Sequence, residues 1–311
     1  MTNEKNLGWH ADEYSKLASF DSDWRDSWWS QDYLELMAKR LRFADVSSVL
    51  DVGCGAGHWG QRIATLLADD AEVTGVDHEG GFLDSARDRA CKRPQRFEYR
   101  VASAETLPFE DATFDLVTCQ TVLIHVADAK VALTEMLRVL KPGGVLLAAE
   151  PNNLVNAIVT RVGLPRPPFE ETLRLLSFEE TCMRGKSSLG QGDGSIGEWL
   201  PRIFQELGLD DRRAHTNDQT GTLLPPYDSP VEQAWIEAMR SSAEAGYSPA
   251  GDRDTARRLF RAGGGNDSSF DELWELEIAS QRRRVAEIDA GRFVTGGGYQ
   301  MYVVSGRKPL G

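Results

Sequence analysis

The sequence predicts an α/β protein, with a doubly wound, mostly parallel sheet and helical insertions. Three observations carry this. Val49-Leu50-Asp51-Val52-Gly53-Cys54-Gly55-Ala56-Gly57-His58 is an apolar run that ends in an acid and passes into a glycine-rich turn, after which Trp59–Leu67 reads as a helix. Val73–Asp77 is a second apolar run ending in an acid, with a helix start at Phe82–Arg87. Strand and helix patterns then keep alternating to residue 150. Such alternation builds a parallel sheet covered on both faces.

In chain order, residues 31–43 carry helical spacing through Leu34, Met37 and Leu41. The predicted strands are 48–52, 73–77, 97–101, 115–120 and 144–150, and the helices between them are about 59–69, 79–92 and 128–140. Asp128 suits the N-cap of the last helix, with Leu133, Met136, Leu137 and Leu140 on one face. Past Pro151 the alternation loosens. Pro165, Pro167 and Pro168 interrupt 152–192, which keeps a helical run around Phe169–Leu176. Ser195 and Glu198 have capping-box spacing at the head of a helix ending at Gly208. Residues 212–224 are compatible with a strand, Pro225-Pro226 breaks it, and 229–290 reads largely helical around Gly263-Gly264-Gly265, a candidate hinge. Gln300–Arg307 is a last strand.

The body is therefore about 31–151, 195–224 and 293–311, one domain across 31–311 with insertions at about 152–194 and 225–292. Residues 1–30, with Trp9, Trp24, Trp28 and Trp29, read as an aromatic N-terminal lid or as an arm that simply packs on the body. Long insertions beside a ligand crevice often form lids or binding walls.

Composition narrows the function. A net charge of −13 over 311 residues opposes nucleic-acid and anionic-membrane partners. Arg282-Arg283-Arg284 is flanked by Glu275, Glu277 and Glu287 and reads as a solvated helix face. The four cysteines, Cys54, Cys91, Cys119 and Cys182, form no Cys-x-x-Cys pair, so no metal site is predicted and a reducing cytoplasm fits. Neither a signal peptide nor a run of 18 apolar residues is visible.

Right-handed crossovers bring strand C-termini to one sheet edge, where ligands bind. Asp51, Asp77, the Ser103 loop and Gln120 all fall at such ends. The dinucleotide fingerprint fails because His58 stands where its third glycine belongs, and the Gly-Lys-Ser/Thr of a phosphate loop is missing. What stands is Asp-x-Gly-x-Gly-x-Gly, whose acid would repel a pyrophosphate and suits a cationic amino-acid tail.

That motif resembles the first motif of the class I S-adenosylmethionine-dependent methyltransferases. Ala102–Phe109, Phe114–Gln120 and Leu140-Lys141-Pro142-Gly143-Gly144-Val145 follow in the order of their ubiquinone/menaquinone-biosynthesis-type branch, methyltransferase type 11. The resemblance covers roughly 46–151 and resumes at the C-terminus. It implies a Rossmann-like, seven-stranded sheet with an antiparallel last strand, and S-adenosylmethionine as cofactor. It assigns the methionine moiety to Asp51, Gly53, Cys54, Gly55 and Gly57, and the ribose hydroxyls to Asp77, with His78 beside it. Phe82, Ser103, Ala104 and Glu105 would meet the adenine, and Gln120 would lie near the reactive methyl. Ser103 departs from the family, which commonly has Asp there; a hydroxyl accepts the adenine amino proton more weakly.

His125 follows the fourth strand and has two readings, a general base or a residue contacting backbone or cofactor. Glu150, Asn152 and Asn153 end the fifth strand and are candidates to face the acceptor. Methyl transfer needs little covalent help, since orientation can supply on the order of 7–11 kcal/mol at best. The leading function is thus methyl transfer to a small-molecule acceptor. The alternatives are a catalytically silent cofactor-binding sensor or scaffold and, disfavoured by His58 and Asp51, an NAD-dependent oxidoreductase. No oligomeric state is legible.

Overall fold

The computed structural model describes residues 23–161 and 163–311. Most of the expected N-terminal lid, including Trp9, lies outside the described residues, as does the side chain of Trp24. The chain divides into two compact units. The sheet unit comprises Trp29–Asn152, Ser195–Asp218 and Met301–Gly311, and the helical unit Asn153–Gly194, Gln219–Gln300 and the described part of Met1–Trp28.

The sheet unit carries β1 (Ser48–Val52), β2 (Glu72–Asp77), β3 (Arg96–Val101), β4 (Phe114–Gln120), β5 (Leu140–Pro151), β6 (Asp210–Thr216) and β7 (Met301–Arg307), in spatial order β3-β2-β1-β4-β5-β7-β6. Strands β3, β2, β1, β4 and β5 are parallel, and β7 runs antiparallel to both β5 and β6. This is the Rossmann-like, mostly parallel seven-stranded sheet with an antiparallel last strand. Val49, Leu50, Val52, Leu116, Val117, Cys119 and Ala148 have no exposed surface. Such strands are apolar throughout because both faces of a parallel sheet are covered.

The covering helices are α1 (Gln31–Leu41), α2 (His58–Ala64), α3 (Leu83–Ala90) and α4 (Ala129–Val139). Asp128 caps α4, its carboxylate accepting from Lys130 N and Val131 N, while Ala132, Leu133, Met136 and Val139 face the core. Helix α2 stops five residues short of the predicted end. Gln95 Nε2 takes the carbonyl of Ala64 at 3.0 Å, and Leu66 and Leu67 donate three residues back instead of four. At the N-terminal end of the sheet, Asp115 ties three strand starts together. Its carboxylate accepts from Ser47 N and Ser48 N, and Lys141 Nζ lies 2.8 Å away. That leaves the C-terminal edge between β1 and β4, where strand order reverses, as the place a ligand binds in such a sheet.

The helical unit contains α5 (Asn153–Arg161), α6 (Phe169–Ser188), α8 (Pro230–Ala245), α9 (Arg253–Ala262) and α10 (Asp267–Asp289); α7 (Leu200–Glu206) belongs to the sheet unit. Phe178, Phe260, Phe270 and Trp274 form its core. Two sequence expectations change here. Ser195 makes no capping bond. Glu198 instead accepts from Asn152 Nδ2 at 3.0 Å, and the capping box lies at Ser229 and Glu232. The basic run on α10 is only partly a solvated face. Arg282 is exposed and Arg283 pairs with Glu171, whereas Glu277 is buried against Arg161 at 3.0 Å, and Arg161 also meets Glu179 at 2.6 Å.

Trp28 and Trp29, the described end of the arm, are buried. Trp28 stacks on Tyr299 within the helical unit, ring centroids 5.0 Å apart, and Trp29 lies 5.2 Å from Trp59 in the sheet unit. Both are packing contacts between aromatic rings.

Candidate functional site

The glycine loop begins where β1 ends. Gly53 has φ +66°, and a Cβ there would sit 2.4 Å from Val122 Cγ2, so a side chain is barred by both conformation and space. Gly57, at φ +85°, opens α2. Cys54 N donates to Val76 O at 2.9 Å, which anchors the loop to β2. Beneath it lie Tyr99 and Gln61, neither singled out by sequence. A Cβ on Gly57 would come within 3.2 Å of Tyr99 Oη, and one on Gly75 within 2.6 Å of its ring. Their only sequence signal was an aromatic on β3 and an amide on the loop's helix.

Asp51 stands behind the loop, 2 % exposed. Oδ2 accepts from Gly60 N at 2.9 Å, and Oδ1 is buried with no hydrogen-bond partner among the described residues. Burial pushes this carboxyl up to about 8, the Gly60 N–H opposing and the Asp77 charge adding. An orphaned buried acceptor of this kind suits a cationic group reaching the loop.

Asp77 closes β2 and is 7 % exposed. Its Oδ2 accepts from Gly55 N and its Oδ1 from Glu79 N, both at 2.9 Å. The second acid thus holds the first motif's loop in place. Each oxygen keeps further acceptor capacity for a hydroxyl pair. His78 Nδ1 lies 3.4 Å from Oδ1, and that carboxylate raises the titration of this half-exposed imidazole.

Phe82 is half-buried in a 3₁₀ turn at Gly80–Phe82. Ser103 and Glu105 are exposed and Ala104 half-buried in the turn after β3. The Ser103 hydroxyl oxygen already accepts from Glu105 N at 3.2 Å. Val101, at the end of β3, is 61 % exposed and meets the position a Cβ on Gly80 would occupy at 3.2 Å. It is an exposed apolar side chain that the sequence pattern concealed as an ordinary strand residue.

Gln120 ends β4 half-buried, and His125 sits half-buried in a turn whose N–H donates to Val122 O at 2.9 Å. Glu150 does not face an acceptor. It is 0 % exposed, and its carboxylate accepts from Val122 N and Leu123 N at 2.8 and 2.9 Å. Burial pushes it up to about 7, against the pull of those amides. Asn152 is buried on Glu198, and Asn153 belongs to the helical unit, where it accepts from Tyr299 Oη at 3.0 Å.

These two raised carboxyls set a pH dependence. The ordinary values are 3.8 for Asp51 and 4.5 for Glu150, against about 8 and about 7 in the fold. The folded chain holds protons that the unfolded chain has already lost. Their contribution is complete below about pH 4 and is lost as pH rises through 7 and 8. The melting temperature should therefore fall between pH 5 and pH 9, and Asp51→Asn should flatten that fall. A wild-type melting temperature constant across this window would remove the effect.

The fold and site define a class of protein: a doubly wound α/β protein with a glycine loop held by two strand-end acids at the switch point of its sheet. Residues 50–148 match the type 11 methyltransferase family, described as a methyltransferase domain. The chain is 36 % identical over 135 residues to the ubiquinone/menaquinone biosynthesis C-methyltransferase UbiE of Geobacter sulfurreducens, covering 43 % of this chain and 50 % of that one. It is 32 % identical over 170 residues to the ubiquinone biosynthesis O-methyltransferase of Xanthomonas euvesicatoria pv. vesicatoria, covering 52 % of this chain and 70 % of that one. The chain thus spans half the length of the first relative. The solved YcgJ protein of Bacillus subtilis is 21 % identical, with a TM-score of 0.47, covering 91 % of this chain and 100 % of that one. The chain belongs to the class I S-adenosylmethionine-dependent methyltransferases, in the branch of the ubiquinone and menaquinone enzymes. Its cofactor is S-adenosylmethionine.

Proposed function

We propose that this chain transfers a methyl group to a small-molecule acceptor, mainly by proximity and orientation. The observation that carries the reading is the Asp77 carboxylate, bound to Gly55 N at one oxygen and Glu79 N at the other, at the sheet edge where the glycine loop opens. When bound, S-adenosylmethionine supplies a methyl group already activated on a sulfonium. The chain's residues need only hold and aim it. Gly53–Gly57 and Asp51 would hold the amino-acid end, Asp77 the ribose, and Phe82 and the Ser103–Glu105 turn the adenine. Gln120 would lie near the methyl. A base matters only where the acceptor must lose a proton.

A small acceptor is supported by the two quinone-biosynthesis relatives and by the charge of −13, which disfavours nucleic acid. Among the described residues no helix is long and apolar enough to cross a membrane. All four cysteines are free, which accords with a cytoplasmic setting.

Calorimetry should show binding of S-adenosylhomocysteine and none of NAD. Labelled methyl should pass from S-adenosylmethionine to a small component of a cell extract. Binding without any transfer would favour a silent sensor or scaffold. With the true acceptor, His125→Ala should keep kcat within about tenfold if orientation carries the rate. A loss of roughly 10²–10⁴, with the acid limb of the kcat–pH profile gone, would make His125 a general base.

A further inference from the structure

Four consecutive amides after β4 are gripped by the end of β5. Thr121 N donates to Ala149 O at 3.0 Å. Val122 N and Leu123 N donate to Glu150 Oε1 at 2.8 and 2.9 Å, and Ile124 N to Oε2 at 3.4 Å. The carboxylate sits in a cradle of backbone N–H groups, with Cys119 Sγ 3.8 Å away. The turn entered this way is strained. Thr121 has φ +54°, a left-handed conformation that a β-branched residue adopts only when its surroundings enforce it.

The enforced turn has a consequence at the cofactor loop. Its second residue, Val122, fills the space over Gly53, where a Cβ would lie 2.4 and 2.8 Å from the two Val122 methyls. Its last residue is His125, whose N–H closes on Val122 O. One carboxylate therefore sets where the valine presses on the first glycine of the loop and where the histidine stands.

We propose that Glu150 is a positioning residue, whose buried carboxylate locks the Thr121–His125 turn as a wall against the glycine loop; this rests on the methyl-transfer reading above. Glu150 does not touch the reacting atoms and acts through Val122. A glutamine would keep one accepting oxygen for Val122 N and Leu123 N, which both bond Oε1, and would set its NH2 against Ile124 N alone, so a leucine is the variant that removes the grip.

The test is Glu150→Leu in the full chain, which removes both accepting oxygens. Without ligand, the Val122, Leu123 and Ile124 amides should exchange about tenfold faster or more, while amides of β1 and β2 keep their rates. With S-adenosylmethionine and acceptor, kcat should fall by on the order of tenfold to a hundredfold, with KM for the acceptor little changed, since a displaced wall misaligns bound groups. Val122→Ala leaves the carboxylate and its amides intact and is the second variant should Glu150→Leu fail to fold. It should keep slow exchange at the turn yet weaken S-adenosylhomocysteine binding several-fold. Unchanged exchange in Glu150→Leu, or unchanged affinity and kcat in Val122→Ala, overturns the proposal. A wild-type chain that fails to bind S-adenosylhomocysteine overturns the functional reading and the catalytic half of the proposal with it; the exchange measurement would still read the grip of Glu150 on its own.

Discussion

Asp77→Ala is expected to weaken S-adenosylhomocysteine binding by roughly 1–3 kcal/mol, about fivefold to 150-fold in Kd. Two losses combine. A charged acceptor for the ribose hydroxyls is removed. The amides of Gly55 and Glu79, now satisfied at 2.9 Å each, lose their partner, and the glycine loop loses its tie to β2. Asp77→Asn separates the two. It keeps the shape and one accepting oxygen, so one amide stays bonded, and its affinity should fall between wild type and the alanine variant. Isothermal calorimetry on the three proteins reads the order directly. Equal affinity in Asp77→Ala and wild type would take Asp77 out of the site, whatever the family pattern implies.

Gly185→Ala should destabilise the helical unit by about 3 kcal/mol or more, at the upper end of overpacking costs. A Cβ on Gly185 would lie 1.8 Å from the carbonyl oxygen of Leu259, and one on Gly263 would lie 1.9 Å from that of Thr181. Both obstacles are backbone, so no rotamer change relieves them, and α6 and α9 must separate. Separation would also loosen Cys182, whose Sγ rests 3.7 Å from Ala256 O, and the Phe178–Phe260 contact at 5.4 Å. Gly296→Ala is the control in the same unit, since a Cβ there meets nothing within 4 Å and its φ is not positive. It should stay within about 0.5 kcal/mol of wild type. Urea unfolding, with hydrogen exchange on α6 and α9, measures both. A Gly185→Ala midpoint equal to wild type would mean that the helices do not cross this closely. The same contacts give Gly263 a packing role.

Much of the sheet unit was legible because its signals are local. The apolar run at 48–52, the acids closing β1 and β2, and the Asp128 cap each lie within a few residues of the feature they define. The same local reasoning misled where two residues had the right spacing but other partners. Ser195 and Glu198 are three apart, as a capping box requires, yet Glu198 is taken by Asn152, a residue 46 positions away. Arg284 and Glu277 lie on a polar helix face by composition, yet Glu277 turns inward to Arg161, supplied by α5.

By itself the sequence determined the doubly wound order, the glycine loop, and the two acids at strand ends, because strand period, turn chemistry and capping act over ten residues or fewer. Only the tertiary structure decided what those groups do to one another. It put Asp77 on Gly55, 22 residues away, and Glu150 under amides 26 to 28 residues away, and it set Val122 over Gly53. These pairings depend on which strands become neighbours and on how far a loop sinks, and a buried carboxylate then takes whatever donors the crossing chains present, because leaving it unpaired costs more than any local preference.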